Sequence, residues 1–154
     1  MPLYYEDLEA GQVYETPART MTEADVVGFA ALSGDWNPLH TDVEFAKGTI
    51  YGRRVVHGLF VLSMMTGLLE RAGLFSGSAM AMLGIDGWRF VAPVFIGDTI
   101  RARMEIGEVR LTSKEDRAVV DHRFELLNQR DEVVQEGRIG VMVGRAPAGR
   151  GLAG

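Results

Sequence analysis

A carboxylate and an imidazole, Asp35 and His40, stand five residues apart in the stretch Ser33-Gly34-Asp35-Trp36-Asn37-Pro38-Leu39-His40. An acid/base pair that faces one point can share and polarise a single water molecule, which is what hydration or dehydration chemistry needs. The backbone between the two is stiff. Asn37 precedes a proline and is pushed out of the helical region, and Pro38 holds its own φ at about −65°. The same residues also make an ordinary turn, because Asp and Asn readily bond to nearby main chain. What the rest of the chain places around this turn therefore decides whether it does chemistry.

The 154 residues fit one domain, and a chain of that size buries roughly 68–70% of its unfolded surface, so one sizeable core is expected. Hydrophobic residues make up 47% and charged residues 24%, the balance of a soluble protein without a membrane signature. The net charge is −5 and no basic cluster is longer than Arg53-Arg54, which argues against a nucleic-acid surface. With no cysteine there are no disulfides, thiolate zinc sites or thiol nucleophiles. The opening Met1-Pro2-Leu3-Tyr4-Tyr5-Glu6-Asp7 lacks the basic region and apolar run of a secretory signal, so a cytoplasmic location is expected.

Several elements are expected around the turn. Gln12 to Thr16 reads as a first strand. Thr22 is a good N-cap followed by Glu23 and Asp25 in the first turn, where the helix dipole favours them, and that helix ends at Ser33-Gly34. Beyond His40, Thr41 to Lys47 reads as a short capped helix stopped by Gly48 that clamps the loop. Val55 to Leu69 carries no full-time charge and predicts a helix buried on every side. It falls short of the ~20 residues that span a bilayer. Gly67 within it predicts close approach of another backbone.

From Ala79 the texture is β, with strands predicted at 79–85, 88–95, 100–109, 118–127 and 133–143. An apolar helix followed by long strands needs an antiparallel sheet that wraps it, an α+β arrangement. The exposed edges of such a sheet predict a homodimer. The stretch from Gly144 to Gly154 has too little apolar content to pack and is expected to fray.

Tyr5-Glu6-Asp7-Leu8, Gly11-Gln12, Thr22-Glu23-Ala24-Asp25, Ser33 to His40, Val56-His57-Gly58 and Pro93 to Thr99 fall in the order seen in MaoC-like dehydratases, which include the (R)-specific enoyl-CoA hydratases. The chain resembles that family from about residue 4 to 143. The resemblance implies a single hot-dog domain over residues 1–143, a long central helix wrapped by an antiparallel sheet, usually as a dimer. It also implies (R)-specific hydration of trans-2-enoyl-CoA, or dehydration of the 3R-hydroxyacyl-CoA, with coenzyme A as part of the substrate and no separate cofactor.

Asp35 and His40 fall on the family's catalytic pair, and Asn37 on the residue of the loop that helps to hold the site. Ser63 falls on a serine near the pair, and Gly58 on the glycine whose N–H meets the thioester oxygen. Gly58 suits that task physically, since a first-turn N–H is unpaired and the missing side chain admits a thioester. Arg53 and Arg54 are candidates for the coenzyme A phosphates, although arginines ahead of a helix are commonly just solvated. His57 is read as structural and His122 is given no role.

Two alternatives stand beside this. A hot-dog acyl-CoA thioesterase commonly uses a carboxylate on or near the central helix, where the first acidic residue here is Glu70, near the far end. A non-catalytic acyl-CoA-binding subunit of a heteromeric dehydratase would be expected to lack part of the pair, and this chain has both members. No metal is expected, because no His/Cys/Asp ligand cluster is evident from spacing.

Overall fold

The computed structural model describes residues 1–149. After a single 3-10 turn at Tyr5–Asp7 come β1 (Val13–Glu15), β2 (Arg19–Thr20), α1 (Glu23–Ser33), α2 (Pro38–Thr41), α3 (Val43–Lys47), α4 (Gly58–Arg71), β3 (Ala79–Phe90), β4 (Thr99–Leu111), β5 (Arg117–Leu127) and β6 (Val133–Gly144). The long strands form one antiparallel sheet in the order β1-β4-β5-β6-β3, and β2 pairs separately with the start of β4. Val61, Met65 and Leu68 of α4 share one core with Ile100, Met104, Ile106, Val120, Phe124 and Ile139 of the sheet. This is the hot-dog arrangement of a helix wrapped by a sheet.

Local chemistry builds the elements that flank the turn. The Thr22 side chain accepts from the Asp25 N–H while the Asp25 carboxylate accepts from the Thr22 N–H, a reciprocal capping box. Gly34 closes α1 in the left-handed region at φ +77°, with its N–H on the Ala30 carbonyl. The predicted helix from Thr41 to Lys47 is instead two short helices. Asp42 ends the first and caps the second by accepting from the Phe45 N–H at 2.9 Å.

Three expectations need correction. The predicted strands 79–85 and 88–95 are replaced by one strand, β3, which ends at Phe90: Gly87 absorbs an irregularity, pairing with β6 resumes at Arg89, and residues 91–95 lie outside the strand. The apolar stretch becomes helical only at Gly58, Val55 forming instead a bridge to Phe95. And α4 is not buried on every side. Leu59, Ser63, Thr66, Gly67 and Glu70 make an exposed stripe at helical spacing, and a Cβ built on Gly67 meets nothing within 4 Å. That face, on which Leu59 is the one large apolar side chain, has no covering element among the described residues.

The outer edge strand β3 is similarly open, with Met80, Met82, Leu83 and Ile85 exposed. Beyond β6 the chain is tied down for two residues. The Arg145 Nε donates to the Tyr5 hydroxyl at 2.9 Å and the Ala146 N–H donates to the Glu6 carboxylate. Residues 150–154 of the expected tail lie outside the described residues. Among the described residues no helix is long and apolar enough to cross a membrane.

Candidate active site

The loop between α1 and α2 is held by its own polar groups. The Ser33 hydroxyl donates to the Phe29 carbonyl, and the Asp35 N–H donates to that hydroxyl. One carboxylate oxygen of Asp35 accepts from the Asn37 N–H at 3.3 Å, and the Asn37 side chain accepts from the Leu39 N–H at 2.9 Å, capping α2. Pro38 stands at the first position of that helix, where its missing N–H costs nothing. Asn37 thus supports the loop by shaping it.

His40 lies in the one turn of α2. Its Nδ1 is 2.6 Å from the Val55 carbonyl. A carbonyl only accepts, so Nδ1 carries the proton and Nε2 of the neutral ring presents a lone pair. That Nε2 lies 3.9 Å from the Asp35 Oδ2. The gap is too long for a direct hydrogen bond, and a single oxygen can bridge it with two bonds of about 2.8 Å. Asp35 itself is half exposed, its side chain 52% accessible.

Directly against this pair sits a group that the sequence reading treats as structural. His57, at the N-cap of α4, is 1% exposed and its ring stacks on His40 with centroids 3.8 Å apart. Its Nε2 is 3.0 Å from the Asp35 main-chain carbonyl and 4.0 Å from the Asp35 Oδ2. The only hint in the sequence is the position of His57 beside Gly58 in a stretch otherwise without charge.

Asp35, His40 and His57 bring three ligand-type atoms within 4.8 Å of one another, a cluster that their spacing in sequence concealed. His40 fits a metal ligand, since its second nitrogen is anchored on a carbonyl. His57 does not. Its Nε2 is committed to the Asp35 carbonyl and its buried Nδ1 has no partner among the described residues. The donor set favours an acid/base site over a metal centre.

Gly58 opens α4, so its N–H belongs to the first-turn groups that no intrahelical carbonyl reaches. Phe90 packs on its bare Cα. A Cβ there would stand 2.7 Å from the Phe90 ring. Its carbonyl accepts from the side chain of Gln135 on β6 at 3.0 Å, and the other end of that amide accepts from the Trp88 indole at 3.0 Å. Gln135 is buried, and nothing in its sequence context distinguishes it from a solvated strand residue. His40, Gly58, Phe90 and Gln135 line one cavity of about 370 Å³, together with Tyr51 and Leu59.

Ser63 does not line that cavity. It lies on the exposed stripe of α4, and one turn on the Thr66 hydroxyl bonds back to its carbonyl at 2.7 Å. Arg53 and Arg54 border a separate cavity of about 260 Å³ with Lys47 and Glu23. Arg54 is held by Glu23 in a two-pronged ion pair, whose hydrogen bond keeps the Glu23 carboxyl below the usual carboxylate range. Arg53 stacks over Phe95 at 3.8 Å and makes no ion pair among the described residues, so its charge is the freer of the two.

The sheet-wrapped helix with an acid/base cluster at its N-terminus matches a known class. Residues 7–125 match the model of the MaoC like domain. The chain belongs to this MaoC-like family. It is 45% identical over 101 residues to protein MaoC of Klebsiella aerogenes, covering 66% of this chain and 30% of that protein. It is 36% identical over 107 residues to a 3-hydroxybutyryl-CoA dehydratase of Methylorubrum extorquens, covering 70% of this chain and 66% of the relative. An (R)-specific enoyl-CoA hydratase of Aeromonas caviae is 39% identical over 105 residues, covering 68% of this chain and 75% of that enzyme.

Among solved structures, one described as a monoamine oxidase regulatory protein from Archaeoglobus superposes with a TM-score of 0.85 at 40% identity. That match covers 95% of this chain and 97% of the other. The double hot-dog protein Rv0216 of Mycobacterium tuberculosis shares the fold, with a TM-score of 0.83 at 21% identity over 97% of this chain and 46% of that one.

Proposed function

We propose that the protein adds water to a trans-2-enoyl-CoA, or removes it from the 3R-hydroxyacyl-CoA. The observation that carries this is the 3.9 Å gap between the Asp35 carboxylate and the His40 Nε2. Both atoms are acceptors once Nδ1 is committed to Val55. One molecule that satisfies both is a water, donating one hydrogen to each. Its oxygen lone pair then attacks C3 as a proton passes to the pair. Electrons shift from the double bond to the thioester oxygen, and a proton returns from the pair to C2 on the same face. The two new bonds are C3–O and C2–H, and the pair ends in the protonation state in which it began.

The negative charge that develops on the thioester oxygen needs a fixed donor. The Gly58 N–H at the positive end of α4 suits it, and removing a donor of this kind costs about 2.7–4 kcal/mol in known enzymes. Arg53 is the better candidate of the two arginines for a coenzyme A phosphate. The names of the M. extorquens and A. caviae relatives support this kind of reaction. We include in this reading a cytoplasmic homodimer that covers the exposed stripe of α4 and the apolar edge of β3. Light scattering coupled to gel filtration checks it, and a monomer at micromolar concentration removes it.

The activity test is loss of conjugated thioester absorbance from short trans-2-enoyl-CoA. Asp35→Asn and His40→Gln are expected to abolish the loss while circular dichroism stays unchanged. Wild-type rates in both variants would overturn the assignment. Release of free coenzyme A without hydration would favour a thioesterase, but Glu70 lies in the last turn of α4, with its carboxylate on the Ser76 hydroxyl.

A further inference from the structure

We infer that His57 is a positioning residue that holds both members of the Asp35 and His40 pair in register. The inference rests on the hydration reading and deepens it. Four features of the ring carry it. First, His57 occupies a helix N-cap, where Ser, Thr, Asp and Asn are favoured because their side chains bond to the helix's own N–H groups. Its side chain makes no such bond. It reaches instead across 22 residues to the Asp35 carbonyl at 3.0 Å.

Second, that bond fixes the tautomer. The carbonyl accepts, so the His57 Nε2 carries the proton, the reverse of His40, whose proton is on Nδ1. The two stacked rings therefore bring unlike nitrogens close to one carboxylate oxygen. The His40 Nε2 lone pair stands 3.9 Å from the Asp35 Oδ2, and the His57 Nε2, its proton held by the Asp35 main-chain carbonyl, stands 4.0 Å from it. A ring that merely filled space here would be better as Leu or Phe, since the His57 Nδ1 is buried and unpartnered among the described residues. Leaving a buried acceptor unmatched is unfavourable unless the rest of the group is needed.

Third, the loop carrying Asp35 is otherwise tied by local bonds of Ser33, Asp35 and Asn37. The His57 bond joins it to the start of α4, and so to Gly58. Fourth, the His57 ring forms the floor under His40, inclined to it by 30°, and is itself backed by Phe29 at 5.0 Å. With the Nδ1–H of His40 anchored on Val55, a floor leaves the imidazole one orientation. Acid/base catalysis is sensitive to such placement, and a 1 Å shift can cost about 10²-fold in rate.

Three substitutions separate these roles. Phe keeps the ring and removes the donor, Gln places an amide nitrogen near the position of Nε2, and Asn places it near Nδ1. On short trans-2-enoyl-CoA, His57→Phe is expected to lower kcat about 10²-fold with KM nearly unchanged. His57→Gln should recover at least a tenfold share of that loss, and His57→Asn should not. Thermal melts of all three establish that they fold. Long-range ¹⁵N–¹H spectra of the wild-type protein should show His57 protonated on Nε2 and His40 on Nδ1, and His40 should lose that single pattern in His57→Phe.

Wild-type kcat in His57→Phe, equal rescue by Asn and Gln, or a His57 proton on Nδ1 would each overturn the inference. If the wild-type protein hydrates no enoyl thioester, the hydration reading fails. The spectra then still decide whether His57 orders His40.

Discussion

The two ends of α4 each hold a cavity and a buried histidine, and they differ in kind. At the N-terminal end the cavity of about 370 Å³ is lined by His40, Gly58 and Gln135, beside His57. At the other end a cavity of about 340 Å³ is lined by Leu69, Phe75, Met104, Phe124 and His122, with Glu70 at its border. His57 and His122 are both 1% exposed. Burial therefore does not distinguish them. His57 is bonded to the Asp35 carbonyl and stacked on another titratable ring. His122 sits edge-on to Phe75, and its nitrogens make no well-formed hydrogen bond among the described residues, the nearest polar groups being the main chain of Ile139 and Val120. Pairing across elements, more than depth, marks the end where chemistry is expected.

The largest test of that contrast is the pair itself. Asp35→Asn or His40→Gln should lower kcat for enoyl-CoA hydration by about 10²–10⁴-fold, read from initial rates. Equivalent changes at the far end, such as Glu70→Gln, should leave kcat within about twofold.

Next in size is Gly58→Ala. The added carbon would stand 2.7 Å from a Phe90 ring that is 56% exposed. The ring can swing outward, so the fold should survive and the cavity should suffer, with kcat/KM down at least about tenfold. A crystal structure of the variant would locate the displaced ring.

Gln135→Leu follows. It strands the Trp88 indole and removes one bond to the Gly58 carbonyl. The expected cost is about 1–3 kcal/mol in chemical denaturation, typical of an orphaned buried polar group, with a smaller loss in kcat than Gly58→Ala.

The smallest effect concerns His122 and pH. Burial pushes its imidazole below the ordinary value, and the nearby main chain of Ile139 and Val120 offsets only part of this. A depressed folded value means that the unfolded chain takes up the proton first. Stability is thus full above about pH 6.5, the unfolded value, and falls as pH drops below it, with a slope of at most ~1.4 kcal/mol per pH unit for one proton. His122→Phe should flatten that acid-side fall in denaturation curves measured from pH 7.5 to 5. An unchanged slope would remove His122 as its source.

Much of this contrast is legible along the chain, and the rest is not. The capping box of Thr22 and Asp25 and the stiff Asn37-Pro38 step depend on neighbours within a few residues, so residue types alone specify them. The acid/base pair is legible for the same reason, being five residues apart on one turn. An uncharged run also announces a helix that packs against the sheet.

Tertiary structure alone decided the remainder. Whether the uncharged run is buried on one face or on all depends on how far the sheet wraps, and it leaves Leu59, Ser63 and Gly67 uncovered. Gln135 meets Gly58 only because β6 passes the start of α4, 77 residues away in sequence. His57 reaches His40 and Asp35 only because α4 begins where the α1–α2 loop folds back, and no spacing rule encodes that meeting. The sequence by itself placed Asp35 and His40 on one stiff turn, because local geometry controls it. Only the tertiary structure decided what fixes that pair in place, because those contacts come from elements that meet on folding.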